Sequence, residues 1–342
     1  MISAKEWVAH YGTGVIRQHT GQLDDYIAFT SPSAWAAVEP HMAHPPRAVE
    51  FIRSQEMDYS EALAARMDRA RHAVGIGGGR ALDAAKIVAE RIGAELVLIP
   101  TIVSSGAIFQ PHYPGREAGK LTIVSLDIFP QFVLFDTDVI RAAPPHLTAS
   151  GMGETVCWVA TIASWKWWAD QGREGTPPWD QTLADAVIEW VAERTAGYAQ
   201  DLDDDGRPGE QAIRVCAEAL RERYDLPIAD MKVGHEINHL LDNTFVWVHR
   251  RDLLHGETVA LGTLLDCHLY ASCFDEARGM LDACRMRYRP SQIGCTWAEI
   301  RAVLEAIPAH CDFLGWPKTC LHDRPIDDAT FDQMVSRVEA DS

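Results

Sequence analysis

A chain of 342 residues, 47% of them hydrophobic and 23% charged, is long enough for two packed domains and has the balance of a water-facing globular protein. Its formal charge of −18, from 31 Lys and Arg against 49 Asp and Glu, excludes nucleic acid or an anionic membrane as the main partner, since both need a basic face. The apolar runs are too short to span a bilayer and residues 1–20 hold no apolar signal segment, so the expected location is cytoplasmic.

The first half alternates strand and helix signals. Residues 26–30 form a short apolar strand, closed by Ser31-Pro32-Ser33, which can start the next helix. Residues 48–52 are a second strand, and residues 60–70 carry Ala, Leu and Met at helical spacing. Residues 72–76 read as a buried strand leading into Gly77-Gly78-Gly79, followed by a helix over 81–92 and a strand over 95–100. Segments 121–126 and 132–135 are two more strands. This alternation predicts an α/β domain with a Rossmann-like parallel sheet, its ligands at the carboxyl ends of the strands. After Pro144-Pro145 strand signals nearly vanish and long segments of helical period follow. The boundary falls near 143–150, giving a nucleotide-binding α/β domain over 1–146 and an all-α domain over 147–342. Within the helical half, residues 172–178 read as a loop. The acidic run 201–208 reads as a solvated turn, because it lacks the downstream spacing of a calcium loop.

The chemistry-bearing residues fall in both halves. Gly77, Gly78 and Gly79 follow a strand and open a helix, where bare backbone amides can approach a phosphate closely. Leu82 stands where the usual dinucleotide fingerprint has a third small residue, so the turn alone is a weak signal. Asp83 and Lys86, one and two turns into the helix, strengthen the nucleotide reading. Thr101, Ser104 and Ser105 lie at the end of a predicted strand, where their hydroxyls would meet phosphate, ribose or a nicotinamide amide. In the helical half, Glu154, His235 and His255 each lie in a distinctive local sequence. A carboxylate and two imidazoles are the three protein ligands that a catalytic divalent metal with one open position needs. Glu154 is expected in the first turn of a helix, since Ser150-Gly151 precedes it, and His235 and His239 share one helix face at i and i+4. His112 and His249 lack a supporting pattern and are expected at the surface. The eight cysteines form no CxxC pair and are expected as reduced thiols, with Cys157 one turn from Glu154.

On these motifs the chain resembles the dehydroquinate synthase-like, iron-containing alcohol dehydrogenase superfamily, and within it the glycerol-1-phosphate dehydrogenase and glycerol dehydrogenase branch. The likeness runs from about residue 20 to 320, through residues 77–86, 99–101, 135–140, 143–151 and 255–264 taken in order. It implies NAD or NADP at Gly77, Gly78, Gly79, Asp83 and the Thr101–Ser105 loop. It further implies a zinc or iron held by Glu154, His235 and His255, with His239 near the substrate and the active site in a cleft between the domains. Two departures matter. The dehydrogenases of the branch put Asp where this chain has Glu154, while the cyclases put Glu there and a lysine at the position of Cys157. The loop after Pro100-Thr101 also lacks the acid with which those dehydrogenases orient substrate hydroxyls.

The leading expectation is a metal-dependent NAD(P)-linked oxidoreductase acting on a small polyol or hydroxyketone or its phosphate. The metal would act as a Lewis acid, with His239 in a proton relay. The alternative is a cyclase or lyase of the dehydroquinate synthase type, which uses NAD transiently and eliminates phosphate. A scaffold that only binds is a third reading, and the intact triplet speaks against it. The aromatic run Trp165-Lys166-Trp167-Trp168 fits either a buried helix or an interface in a homo-oligomer.

Overall fold

The computed structural model describes residues 8–117, 120–229 and 237–340. The chain folds as two compact units, one of residues up to Thr148 together with Asp201–Arg214, the other of Ala149–Gln200 and the residues from Val215 on.

The first unit runs β1 (Ala9–Gly12), α1 (Val15–His19), β2 (Tyr26–Thr30), α2 (Pro32–Val38), β3 (Ala48–Phe51), α3 (Met57–Arg66), β4 (His72–Gly77), α4 (Gly79–Ile92) and β5 (Glu95–Pro100). It continues with β6 (His112–Glu117), β7 (Lys120–Ser125), β8 (Pro130–Asp136) and α5 (Thr137–Ala142). Six strands form one sheet in the order β1-β8-β5-β4-β2-β3, every pairing parallel. A parallel sheet is covered on both faces, which is why its strands read as continuous apolar runs. Val74, Ile76, Val97, Ile99 and Leu134 form the core of one face with Val15, Ile16 and Val38. The order reverses between β2 and β4, since β2 to β3 steps one way and β4 to β5 the other. Such a switch point is where ligands bind in open α/β sheets, at the carboxyl ends of the strands.

The segment 121–126 is a strand, as its pattern suggests, but not a sheet member. It is β7, paired antiparallel with β6 in a separate ribbon. Its partial exposure along the whole length, against the continuous burial of β4, is the physical difference.

The helices that follow are α6 (Pro145–Asp170), α7 (Gln181–Ala199), α8 (Glu210–Glu222), α9 (Ile237–His249), α10 (His255–Leu269), α11 (Phe274–Ala283), α12 (Pro290–Ile293), α13 (Trp297–Leu314), α14 (Cys320–Asp323) and α15 (Asp328–Glu339). Trp165 is buried with Ile162, Ala184 and Val187 in a core of the second unit, and the Trp179 ring lies tilted against it with centroids 4.7 Å apart. The tryptophan run is therefore largely interior. The acidic turn is closed by the protein itself. Asp203 accepts Arg141 at 2.8 Å and the Arg207 backbone N–H at 2.8 Å, and Asp201 accepts the Ala212 N–H at 2.9 Å. No helix among the described residues is long and apolar enough to cross a membrane.

Candidate functional site

In the first unit, β4 ends at Gly77, whose φ of +135° is a backbone state that side chains rarely adopt. Gly78 then caps α4 with no side chain of its own, leaving the first N–H groups of this 14-residue helix without a side-chain acceptor. That is the arrangement in which a helix start receives a phosphate. The loop after β5 lies beside it. Gly77 pairs with Pro100, and the Thr101 N–H bonds the Gly77 carbonyl at 3.2 Å. A Cβ on Gly78 would press on Ile102 at 3.0 Å, and one on Gly79 on the Ser105 hydroxyl at 3.0 Å. Gly77, Gly78, Gly79, Thr101, Ser104 and Ser105 thus share one edge of the sheet.

Asp83 and Lys86 have a different environment. Both are buried, and the Lys86 ammonium donates to the carbonyls of Ala107 (3.0 Å), Gln110 (2.9 Å) and His112 (2.8 Å), with Asp83 as counter-charge at 2.6 Å. Three carbonyls take its three protons, so nothing remains for a nucleotide. Burial pushes the Asp83 carboxyl up, and Lys86 only partly offsets it. The pair fixes the path of residues 106–112, beside the glycine turn.

In the second unit three helices supply the charged cluster. Glu154 lies in the third turn of α6, not the first. The small residues before it do not start the helix but let another helix approach. A Cβ on Gly153 would run into the Gly256 carbonyl, and one on Gly256 into the Ser150 carbonyl. This close crossing brings His255, at the start of α10, against Glu154. Helix α9 is placed by the same partner. Buried Asp266 of α10 accepts two N–H groups of α9, from Ile237 at 3.0 Å and Asn238 at 2.9 Å, and Gly262 packs on the Asn238 backbone.

The result is convergence of Glu154, His239 and His255, whose donor atoms all lie within 4.8 Å of one another. His255 Nε2 stands 2.6 Å and His239 Nε2 3.8 Å from Glu154 Oε1. Oε1 is buried, and these two imidazole nitrogens are the groups it faces. The other ring nitrogens are committed. His255 Nδ1 meets Asp242 Oδ2 at 2.9 Å, and an ionised carboxylate only accepts, so Nδ1 carries the proton. His239 Nδ1 meets Asn238 Oδ1 at 2.8 Å, an oxygen oriented by the His239 backbone N–H. This is how imidazole ligands are oriented, with Nε2 left toward a metal. Glu154 is the floor of the cluster, its side chain 2% exposed, while His239 and His255 are 38% and 40% exposed at its mouth. Burial alone would raise the Glu154 carboxyl, but Arg223 and His255 outweigh it and hold it well below the carboxylate range. Burial also disfavours charge on His255, but Glu154 and Asp242 prevail and hold it well above the histidine range, so a cation entering here displaces a proton. The donor chemistry therefore fits a divalent ion.

His235, expected as a ligand, lies outside the described residues. Cys157 does not join the donors, since its thiol donates to the Glu154 carbonyl at 3.2 Å, and no cysteine among the described residues is in a disulfide. His112 and His249 are half-buried rather than at the surface, and His249 bonds the Glu299 carbonyl at 3.3 Å. Sequence reasoning missed Asp242 and Arg223. Asp242 has a local signal, three residues past His239 on the same helix. Arg223 has none, because its partner is 69 residues away.

Residues 30–144 match the family model of the iron-containing alcohol dehydrogenases. The glycerol-1-phosphate dehydrogenase (NAD(P)+) of Sulfurisphaera tokodaii is 29% identical over 248 residues, 72% of this chain and 68% of that protein. That of Cenarchaeum symbiosum is 29% identical over 233 residues, 68% of this chain and 63% of that protein. The chain thus spans about two thirds of the length of these curated relatives. Among solved structures, glycerol dehydrogenase from Schizosaccharomyces pombe superposes with a TM-score of 0.66 at 17% identity, over 97% of this chain and 89% of that one. A probable glycerol dehydrogenase from Sinorhizobium meliloti gives 0.65 at 19% identity, over 96% and 95%. The chain therefore shares its fold with these solved structures, and its residues 30–144 are similar to the iron-containing alcohol dehydrogenases. Over about two thirds of its length it is similar to the glycerol-1-phosphate dehydrogenases named above.

Proposed function

We propose that this chain is a metal-dependent, NAD(P)-linked dehydrogenase of a small polyol or hydroxyketone, or of its phosphate. The observation that carries the proposal is the buried Oε1 of Glu154, 2.6 Å and 3.8 Å from two imidazole nitrogens whose rings are oriented from behind. In this reading the first unit binds the nucleotide at Gly77, Gly78, Gly79, Thr101, Ser104 and Ser105. Asp83 and Lys86 hold the neighbouring loop. Glu154, His255 and a histidine of the 235–239 segment hold zinc or iron, a choice that a carboxylate and imidazoles leave open. A divalent ion there supplies a Lewis acid for an alcohol or carbonyl oxygen, and the nicotinamide supplies or takes the hydride. The protein's own part is to fix the ligand atoms. Asp242 keeps the His255 proton on Nδ1, and the Gly153–Gly256 crossing sets the spacing between α6 and α10.

The test is metal content of purified Glu154→Gln, His255→Ala, His239→Ala and His235→Ala, paired with an assay on polyols, hydroxyketones and their phosphates. Loss of metal is expected in the first two, with the fold retained. Whichever histidine variant also loses it names the third ligand. Net change in nicotinamide absorbance is expected, whereas phosphate release without net change would replace the dehydrogenase with a cyclase. Full metal content in His255→Ala would remove the proposed site.

A further inference from the structure

The Glu154 carboxylate has two oxygens, and only Oε1 faces the imidazoles. The other is occupied. Arg223, directly after α8, donates through Nη1 to Glu154 Oε2 and, at 2.9 Å, to the Glu154 main-chain carbonyl. Its Nη2 donates to the Tyr224 hydroxyl, and the guanidinium lies 4.7 Å over the Tyr224 ring. The two side chains of the ion pair are 9% and 2% exposed, so this is a buried contact and not a surface pair. Removing one partner of a buried pair leaves an uncompensated charge. A buried pair alone, however, would need only a charge. What distinguishes Arg223 is the fork, one nitrogen spanning a backbone carbonyl and a side-chain oxygen of the same residue while the other is anchored on a phenol. That geometry fixes the rotation of the carboxylate, which a lysine ammonium cannot do.

We infer that Arg223 is a positioning residue of the donor set: by holding Oε2 and the main-chain carbonyl of Glu154, it turns Oε1 toward the imidazoles and limits this carboxylate to a single metal bond. The inference rests on the metal reading above. It has an electrostatic corollary. Counting Asp242 behind His255, the cluster with neutral imidazoles sums to −1 with Arg223 at its back rather than −2 without it, so less of the charge of a bound ion is cancelled.

The experiment uses the full-length protein, titrated with Co²⁺, whose visible bands report coordination. Wild type, Arg223→Lys and Glu154→Gln are compared, and circular dichroism and thermal melting check the fold. Arg223→Lys keeps the charge and loses the fork. It is expected to bind Co²⁺ about 10- to 100-fold more weakly, the range seen when partners that orient metal ligands are removed. Its bands are expected to shift as the freed carboxylate offers both oxygens. Wild-type affinity with unchanged bands in a folded Arg223→Lys would overturn the inference while leaving the metal site standing. Failure of wild type to bind Co²⁺ stoichiometrically would overturn the metal reading, and the inference with it. A measurement on wild type itself covers the case of a variant that does not fold. Infrared difference spectra on metal addition are expected to show the wide carboxylate stretch splitting of single-oxygen ligation, absent in Glu154→Gln. A narrow splitting, the mark of both oxygens bound, would overturn the inference.

Discussion

The smallest change with the most specific readout is at Asp242. Its carboxylate accepts from His255 Nδ1 and thereby decides which ring nitrogen is left for a ligand. Asp242→Asn keeps the shape but can present an N–H to that nitrogen, favouring the wrong tautomer. Metal affinity is expected to fall about 10- to 100-fold with little change in melting temperature, as followed by chelator competition. Glu154 and His255 were legible in the sequence because each sits in a distinctive local pattern. Asp242 was legible in principle through its i+3 relation to His239. Arg223 was not, because nothing in Glu222-Arg223-Tyr224 announces a partner on α6. Residues whose role depends on a distant chain crossing leave no local trace.

Two elements are held by contacts that a substitution would expose. On α4, Lys86→Met would strip three carbonyls of their donor and leave Asp83 buried without a counter-charge. A loss of about 3–5 kcal/mol is expected in urea unfolding, with partial recovery when Asp83→Asn is added. Between α6 and α10, Gly256→Ala would place a methyl in the Ser150 carbonyl. The helices would have to part, lowering stability by about 1–3 kcal/mol and weakening metal binding together, which melting and titration would both register. This crossing also explains why Ser150-Gly151-Met152-Gly153 reads as a helix start. Small residues serve both a turn and a tight helix contact, and periodicity cannot separate the two. Strands of the parallel sheet were legible as apolar runs. β1 and β6 were not, because each is short or only partly buried.

For the molecule as a whole, acid acts through groups of opposite sign, since burial and charge lower three half-buried histidines while His255 and Glu257 are raised. Burial lowers His10, His112 and His268, with His19, Lys86 and Arg337 respectively adding to the effect. At these three histidines the unfolded chain therefore binds more protons than the folded one as pH falls through the ordinary histidine range, about 6.5. Stability from these groups is full above that value and is lost progressively below it, down through their lowered folded values. The check is a difference: from pH 8 to pH 5 the melting temperature of His112→Gln is expected to rise relative to that of wild type, because the variant lacks one group that loses stability below about 6.5.

The order of the chain has a consequence for how the first unit is made. Residues 201–214 belong to it, although α7 and most of α6 precede them. They are bonded to its earlier parts. Asp203 pairs with Arg141, the Arg207 guanidinium donates to the Arg141 carbonyl at 2.6 Å, and the Arg214 guanidinium lies 4.3 Å over the Tyr11 ring. During synthesis the sheet strands leave the ribosome well before this segment, so the nascent unit must wait, with Arg141 and Tyr11 lacking these partners, until residue 214 has emerged. A polypeptide ending at residue 148 holds every strand of the sheet but not this clasp, and it is expected to be more readily cut by protease than the same region of the full chain. Completion of the first unit is thus delayed until the second is partly made, and a late arrest of translation would leave the sheet open to misassembly.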